Sequence, residues 1–577
     1  WPLRPDTRPL SSTDEELKDM TTRRRSLGIS LAAGLMAALL SMGQGLAMQS
    51  VRGDPVATTG GPLAGTLLPS GVKAYLGVPF AKPPVGELRW RPPQPYRWSG
   101  TWNADRKGPE CIQVLRPHDI NHYFGEEPTG EDCLYLNIWV PPDANAGEHR
   151  PVIVFIYGGG GTIGSSGMAN YDGEAMARRG AIFVNFNYRV GLLGFMAHPQ
   201  LSAEQGGHSG DYGYLDQTAA LKWVHDNIAA FGGDSGKVVI TGQSFGAGSV
   251  AAQVLSPLSR GLFRGAMMSS ACSLADGGMI GATAALVEGE VVGLEVQKRL
   301  GAAGIEALRN IPADRILAQQ AESQVGVHVQ GVRAPPVIDG YFFPASKDRL
   351  LASHAGSDAP IIASSNGDDL DSNRSPLVHA HTVAEYEAAG RRMYGSASDE
   401  FLRLFPARSD ADVQPMAHLA AIEAGFLESS RRCGEEQARF NTQAVYVDLF
   451  THKHPYAPGV AFADQNPATV GAYHTADLPY WFDTLDRYNS LRPTRAWTAY
   501  DRELADRMTG ALIALAETGS PSTAALPWPA WSAASPRYVE FGDAISIRDM
   551  DLKRMDWLAA HPPAQAASTA PPRGPRD

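Results

Sequence analysis

The stretch "KVVITGQSFGAGS", Lys237 to Ser249, constrains what this chain can fold into more than any other. "KVVI" is a β-branched run of the kind buried on both faces of a parallel sheet. Gly242, Gly246 and Gly248 then crowd around Ser244. Each glycine costs a helix about 1 kcal/mol relative to alanine, so the crowding needs a physical reason. The spacing Gly242-x-Ser244-x-Gly246 supplies one. A strand enters a helix through a sharp turn, and bulk at either flanking position would strike the neighbouring strand or helix. Such a turn lifts the Ser244 hydroxyl above the sheet edge, with the positive end of a helix behind it. The bland alternative is a tight turn with a bystander serine.

Other segments fit the same sheet. "RPVIVFIY" (Arg150 to Tyr157), "AIFVNFNY" (Ala181 to Tyr188), "APIIAS" (Ala359 to Ser364) and "AVYVDLF" (Ala444 to Phe450) read as buried strands. Between two of them, "YLDQTAALKWVHDNIAAFGG" sets Leu221, Val224 and Ile228 at helical spacing and stops at Gly232-Gly233. Strand, helix, strand, turn, helix predicts a parallel sheet with crossovers. Ala74 to Pro95 reads as an edge hairpin leading into loops, and residues 280–345, rich in Ala and Glu, as helices laid over the sheet. The expected fold is α/β, a large and mostly parallel central sheet flanked by helices with helical cap insertions. One domain, residues 50–562, carries it, and the Pro- and Ala-rich residues 563–577 are expected to be a disordered tail.

Ahead of that domain, "TTRRRSLGISLAAGLMAALLSMGQGLAMQS" has a basic start, an apolar centre and small residues around Gly45-Leu46-Ala47. That order predicts a secretory signal peptide over residues 20–47, with Arg23 to Arg25 permitting a twin-arginine route. The chain opens on Trp1, and Met20 directly precedes the basic segment, so residues 1–19 are read as an upstream extension. The protein is expected to be secreted or periplasmic, with no integral membrane segment once the signal is removed. With 50 Lys and Arg against 61 Asp and Glu, the net charge of −11 gives no basic face for nucleic acid. Oligomeric state is not legible. Of the four cysteines, Cys111 and Cys133 form the best pair, closing a loop of about two dozen residues worth about 3 kcal/mol. Cys272 and Cys433 have no near neighbours in sequence and read as buried thiols, with a long-range bridge as the alternative. No spacing resembles a zinc site, and the histidine pairs His379/His381 and His452/His454 lack a third ligand.

A second feature gives Ser244 a purpose. Gly158-Gly159-Gly160-Gly161 follows the strand "VIVFIY" directly. Such a loop turns bare backbone N–H groups toward a substrate oxygen, as an oxyanion hole does. A phosphate cradle would need a closing Gly-Lys-Ser/Thr, and none follows.

With these residues in place, "FIYGGGG", "NYRVGLLGF" (Asn187 to Phe195), "GDYGYLDQTAALKWVHDNIAAFGGD" and "GEDCLYLNIWVP" (Gly130 to Pro141) resemble the type-B carboxylesterase family. This is the carboxylesterase, cholinesterase and lipase branch of the α/β-hydrolases, and the likeness runs from about residue 51 to 560. The resemblance implies an α/β-hydrolase fold, a serine nucleophile and hydrolysis of carboxylic esters, with a small-molecule ester and water as the partners and no cofactor or metal. It also implies the disulfide Cys111–Cys133.

The acid should follow a strand and precede the histidine in the chain. "APIIASSNGDDLDS" offers Asp368, Asp369 and Asp371. The family pattern lays the acid on Asp369, with Asp368 as the alternative. Of fifteen histidines, His474 in "GAYHTADLPYWF" matches the family's base, and Asp477 its supporting acid. The implied mechanism has His474 deprotonating Ser244, Asp369 orienting the imidazole, and the N–H groups of Gly159, Gly160 and Phe245 holding the oxyanion. Departures from the family are Gln243 for glutamate, Phe245 for alanine and Gly161 for a bulky residue. Loss of one ring and gain of another is expected to reshape the acyl pocket. Alternatives are a bulky natural-product ester of the fumonisin tricarballylate type, a lipid ester, or a cholinesterase-like binding protein without catalysis. Relatives of that last kind lack the nucleophile or the base, whereas both are present here.

Overall fold

The computed structural model describes residues 49–277, 281–324, 327–329, 331–370 and 375–563. The expected extension, the signal segment, the tail beyond Pro563 and Asp371 lie outside the described residues. Among the described residues the sheet has twelve strands, of which the ten longest are β1 (Lys73–Pro79), β2 (Tyr135–Val140), β3 (Arg150–Ile156), β4 (Ile182–Phe186), β5 (Gly233–Gln243), β6 (Gly265–Ser269), β7 (Ile361–Asn366), β8 (Val445–Phe450), β9 (Arg537–Phe541) and β10 (Ile545–Asp549). Their spatial order is β1-β2-β4-β3-β5-β6-β7-β8-β9-β10. From β4 to β9 every neighbouring pair is parallel; β1–β2, β2–β4 and β9–β10 are antiparallel. The mostly parallel centre explains why the strand sequences read as continuous apolar runs. Val152 to Ile156 are all at most 1% exposed, each side chain contributing about 1.5–3 kcal/mol by burial.

Chain order and spatial order diverge at β3. The chain leaves β3 for β4 on one side and then returns to β5 on the other. Ligands of open α/β sheets bind in the crevice beyond the strand ends at such a reversal. The loop after β3 and the turn after β5 both open there.

Helices α1 (Tyr212–Asn227), α2 (Phe245–Leu255), α6 (Phe426–Phe440) and α7 (Ala499–Thr518) pack on the sheet, and α3 (Leu286–Arg299), α4 (Val383–Tyr394) and α5 (Asp410–Ala424) lie in the segments between its strands. α7 shows how local sequence sets an element. The Thr498 hydroxyl and the Asp501 carboxylate cap each other's backbone N–H groups at its start. Gly519 ends it at φ 81°, a left-handed conformation that glycine adopts without strain. The region 280–345 holds the expected helices and also a short antiparallel pair, Glu322–Gln324 with Val327–Val329. A satellite core of Tyr386, Tyr394, Phe401, Phe405 and Val413 fastens α4 and α5 into a helical cap.

Cys111 and Cys133 are joined by a disulfide, and so are Cys272 and Cys433. The second bond corrects the reading of two buried thiols. Cys433 sits on α6, which packs against β7 and β8, while Cys272 lies just beyond β6. Packing thereby sets their Cα atoms 5.8 Å apart across a separation of 161 residues, inside the range a disulfide spans.

Candidate active site

Ser244 sits between β5 and α2 at φ 59° and ψ −126°, a region that non-glycine residues enter only when the surroundings over-determine it. Its N–H donates to Ser269 O at 2.9 Å, and its carbonyl accepts from Ala247 and Gly248 in the first turn of α2. The flanking glycines are needed for the reason their spacing suggests. A Cβ on Gly242 would lie 2.2 Å from Gly246 O, and one on Gly246 would lie 2.1 Å from Ile156 O of β3.

The loop after β3 holds Gly159, Gly160 and Gly161 at φ 92°, 65° and 74°. Their carbonyls are all engaged by protein donors. Gly159 O accepts from Thr162 and Ile163, Gly160 O from the Arg333 guanidinium at 3.0 Å, and Gly161 O from Gly191 N. The N–H groups of Gly159, Gly160 and Phe245 donate to no protein group among the described residues. The first amides of a helix have no partner within it, and Phe245 opens α2. Gly158, Gly159, Gly160, Ser244 and His474 line one cavity of about 550 Å³.

The structure brings Asp369 to the imidazole. Asp369 Oδ1 lies 2.5 Å from His474 Nδ1 and accepts from the N–H of Leu370. Oδ2 accepts from the Ser270 hydroxyl at 2.6 Å. Asp368 faces a different way. Its carboxylate accepts from Ala472 N at 2.8 Å and lies 3.3 Å from His418, while its own N–H donates to Ala472 O. It staples the histidine loop to the end of β7, and Gly471 admits it, since a Cβ there would lie 2.1 Å from Asp368 Oδ2.

Beneath this pair runs a buried polar layer. Asn366 donates to Ser270 Oγ and to Asp477 Oδ1, both at 3.1 Å, and Ser269 donates to Asp477 Oδ2 at 2.6 Å. Burial pushes the Asp477 carboxyl above the usual range, only partly offset by those two donors. On the cavity side, Asn121 Oδ1 accepts from Tyr473 OH and Thr475 Oγ1, the residues on either side of His474. Thr475 stands at φ 84°, and for a β-branched residue that is strained backbone.

Sequence reasoning did not find Ser269, Ser270, Asn366, Asn121 or Arg333. The serine pair closing a buried strand was the one legible hint. Phe245 requires a correction. Its ring does not line the cavity but is buried against Phe195 and Tyr214. It also covers Gly161, where a Cβ would lie 2.7 Å from Phe245 Cζ. The gained ring therefore occupies the space where a side chain on Gly161 would begin, and it bears on the cavity only through that backbone. Of the other histidines, His452 bonds Asp501 and Asp543, and His454 is buried and donates to Ala476 O.

The strand order, the serine corner and the glycine loop define a hydrolase of the α/β-hydrolase fold. A solved PNB esterase shares that fold with a TM-score of 0.68 and 27% identity, covering 87% of this chain and 98% of its own. The Carboxylesterase family model matches residues 53–556, so the chain belongs to that family and is a carboxylic ester hydrolase. A fumonisin B1 esterase of Sphingopyxis macrogoltabida is 37% identical over 462 residues, covering 78% of this chain and 79% of that protein. An acylcarnitine hydrolase of Mus musculus is 30% identical over 86% and 90%. A para-nitrobenzyl esterase of Bacillus subtilis (strain 168) is 29% identical over 82% and 92%.

Proposed function

We propose that Ser244, His474 and Asp369 are the nucleophile, base and acid of this esterase, and that it works through an acyl-enzyme. The observation that carries the reading is a meeting of three things at one cavity: Ser244 on its left-handed corner, an imidazole held by Asp369, and the open amides of Gly159 and Gly160, with the open amide of Phe245 next in the chain to Ser244. His474 Nε2 takes the Ser244 proton as Oγ attacks the ester carbonyl. The three amides hold the oxyanion, each such donor being worth on the order of 10²- to 10³-fold in kcat. Asp369 keeps the Nδ1 proton in place and offsets the imidazolium charge. His474 then protonates the departing alcohol, and water repeats the sequence on the acyl-enzyme. Asp477 supports the layer below through Ser269 and Asn366.

A fluorophosphonate ester probes this directly. It should inactivate the protein with one equivalent bound, and peptide mass spectrometry should place the phosphonyl group on Ser244. Inactivation with the adduct elsewhere would overturn the assignment. Export also belongs to this proposal: the segment 20–47 has the order of a leader, and two disulfides suit an oxidising compartment. No helix among the described residues is long and apolar enough to cross a membrane.

A bulky natural-product ester is the substrate reading favoured by the cavity, whose volume falls in the range of drug-sized ligands, and by the relative named for fumonisin B1. Arg333 lines this cavity without a carboxylate partner among the described residues, and a tricarballylate-type acid would bring one. Arg333→Ala should raise KM for such a polyanionic ester about fivefold more than for p-nitrophenyl acetate, the scale of an exposed charge pair. An equal loss on neutral long-chain esters would favour a lipid substrate instead.

A further inference from the structure

His474 stands inside a tight turn. Ala476 N–H donates to Tyr473 O at 2.8 Å, which closes a four-residue turn with the imidazole on its second residue. Thr475, the third residue, stands at φ 84°, whereas His474 is not among the residues of positive φ. A positive φ at the third position alone is the backbone of a type II turn, where glycine is the residue that fits. This chain places a β-branched side chain there, with one preferred χ1 and a Cβ that crowds the backbone. The turn does not hold that conformation by itself.

The group that braces it is Asn121, on the segment enclosed by Cys111 and Cys133. Asn121 Oδ1 accepts from Thr475 Oγ1 at 3.1 Å and from Tyr473 OH at 3.3 Å, one donor on each side of the base. Tyr473 OH in turn accepts from Arg495 Nη2 at 3.3 Å, so its single proton is left for Asn121. The brace is itself anchored. Asn121 O accepts from the Asn170 amide, Ile120 O accepts from buried Arg495 at 2.7 Å, and Ile120 N–H donates to Asp464 Oδ1 at 3.1 Å.

We propose that Asn121 is a positioning residue for the base, holding the strained His474 turn from outside in place of a glycine at position 475. The inference rests on the reading of His474 as the base. No covalent bond changes. Without the Asn121 oxygen, Thr475 relaxes toward negative φ, and the same rotation carries the imidazole off its 2.5 Å contact with Asp369 Oδ1. A displacement of about 1 Å at a reacting group costs on the order of 100-fold in rate.

The test compares kcat and KM for p-nitrophenyl acetate in Thr475→Val and Thr475→Gly, each assayed well below its Tm. Valine keeps the branching of threonine and therefore the strain, and removes only the hydroxyl. Glycine removes the hydroxyl and the strain together. The Val variant should lose about 10- to 100-fold in kcat, and the Gly variant at least about fivefold less than that. The loss should fall on kcat, whereas a residue that only shapes the cavity wall would act through KM. Asn121→Ala should lower kcat on the same scale as the Val variant. Its cost should shrink by at least about fivefold when Thr475 is already glycine, since coupled residues are not additive.

A loss in Thr475→Gly equal to or greater than that in Thr475→Val overturns the proposal. An equal cost of Asn121→Ala in both backgrounds overturns it too. Should Asn121→Ala not fold, the Val and Gly pair decides alone. His474→Gln separates the two readings: retained turnover defeats the base assignment itself, whereas lost turnover with a fully active Thr475→Val defeats only the brace.

Discussion

Ser244→Ala is expected to lower kcat on p-nitrophenyl esters by on the order of 10⁴- to 10⁶-fold, the scale of losing a nucleophile from a serine hydrolase. KM should change little, because the cavity walls and the open amides remain. Stability should also hold. The corner is fixed by backbone contacts, from Ser244 N to Ser269 O and from Ala247 and Gly248 to Ser244 O, and alanine keeps all of them. The two effects separate cleanly by measuring turnover and Tm on one preparation. Full turnover with an unchanged melting curve would mean that another group attacks the ester.

Asp369→Asn should cost on the order of 10⁴-fold in kcat. An amide in place of the carboxylate lets the imidazole take the other tautomer and no longer offsets its positive charge. Asp368→Asn is the informative partner. Asp368 accepts from Ala472 N and lies beside His418, so its replacement should lower Tm and leave kcat within about tenfold, the ordinary scale of a lost charge-assisted bond. If the two variants traded places, with Asp368→Asn the dead enzyme, the acid would be misassigned.

These two neighbours also mark where the sequence stopped being readable. Ser244 was legible because its constraint is local: glycines two positions away on each side prevent collisions the turn itself creates. The strands around it were legible because burial on both faces leaves no polar alternation. Asp368 and Asp369 share one strand end, and which carboxylate meets the imidazole depends on the pairing of Asp368 with Tyr473 on a loop about a hundred residues away, a tertiary contact with no local pattern. The bond between Cys272 and Cys433 was hidden for the same reason. Phe245 was misjudged because its position in the chain, next to the serine, says nothing about which way the ring leaves the first turn of α2. Ser270 and Asn366 look like ordinary polar residues until the fold stacks them under Asp369.

The disulfide Cys111–Cys133 encloses a segment that supplies His118, Asn121 and Tyr123 to the cavity wall. Both ends of that segment are tied to a single covalent point, while Ser244 and Asp369 follow strands of the sheet. A new ester could therefore be accommodated by rewriting this tethered panel alone, provided that the residue at 121 still steadies the chain on either side of the imidazole.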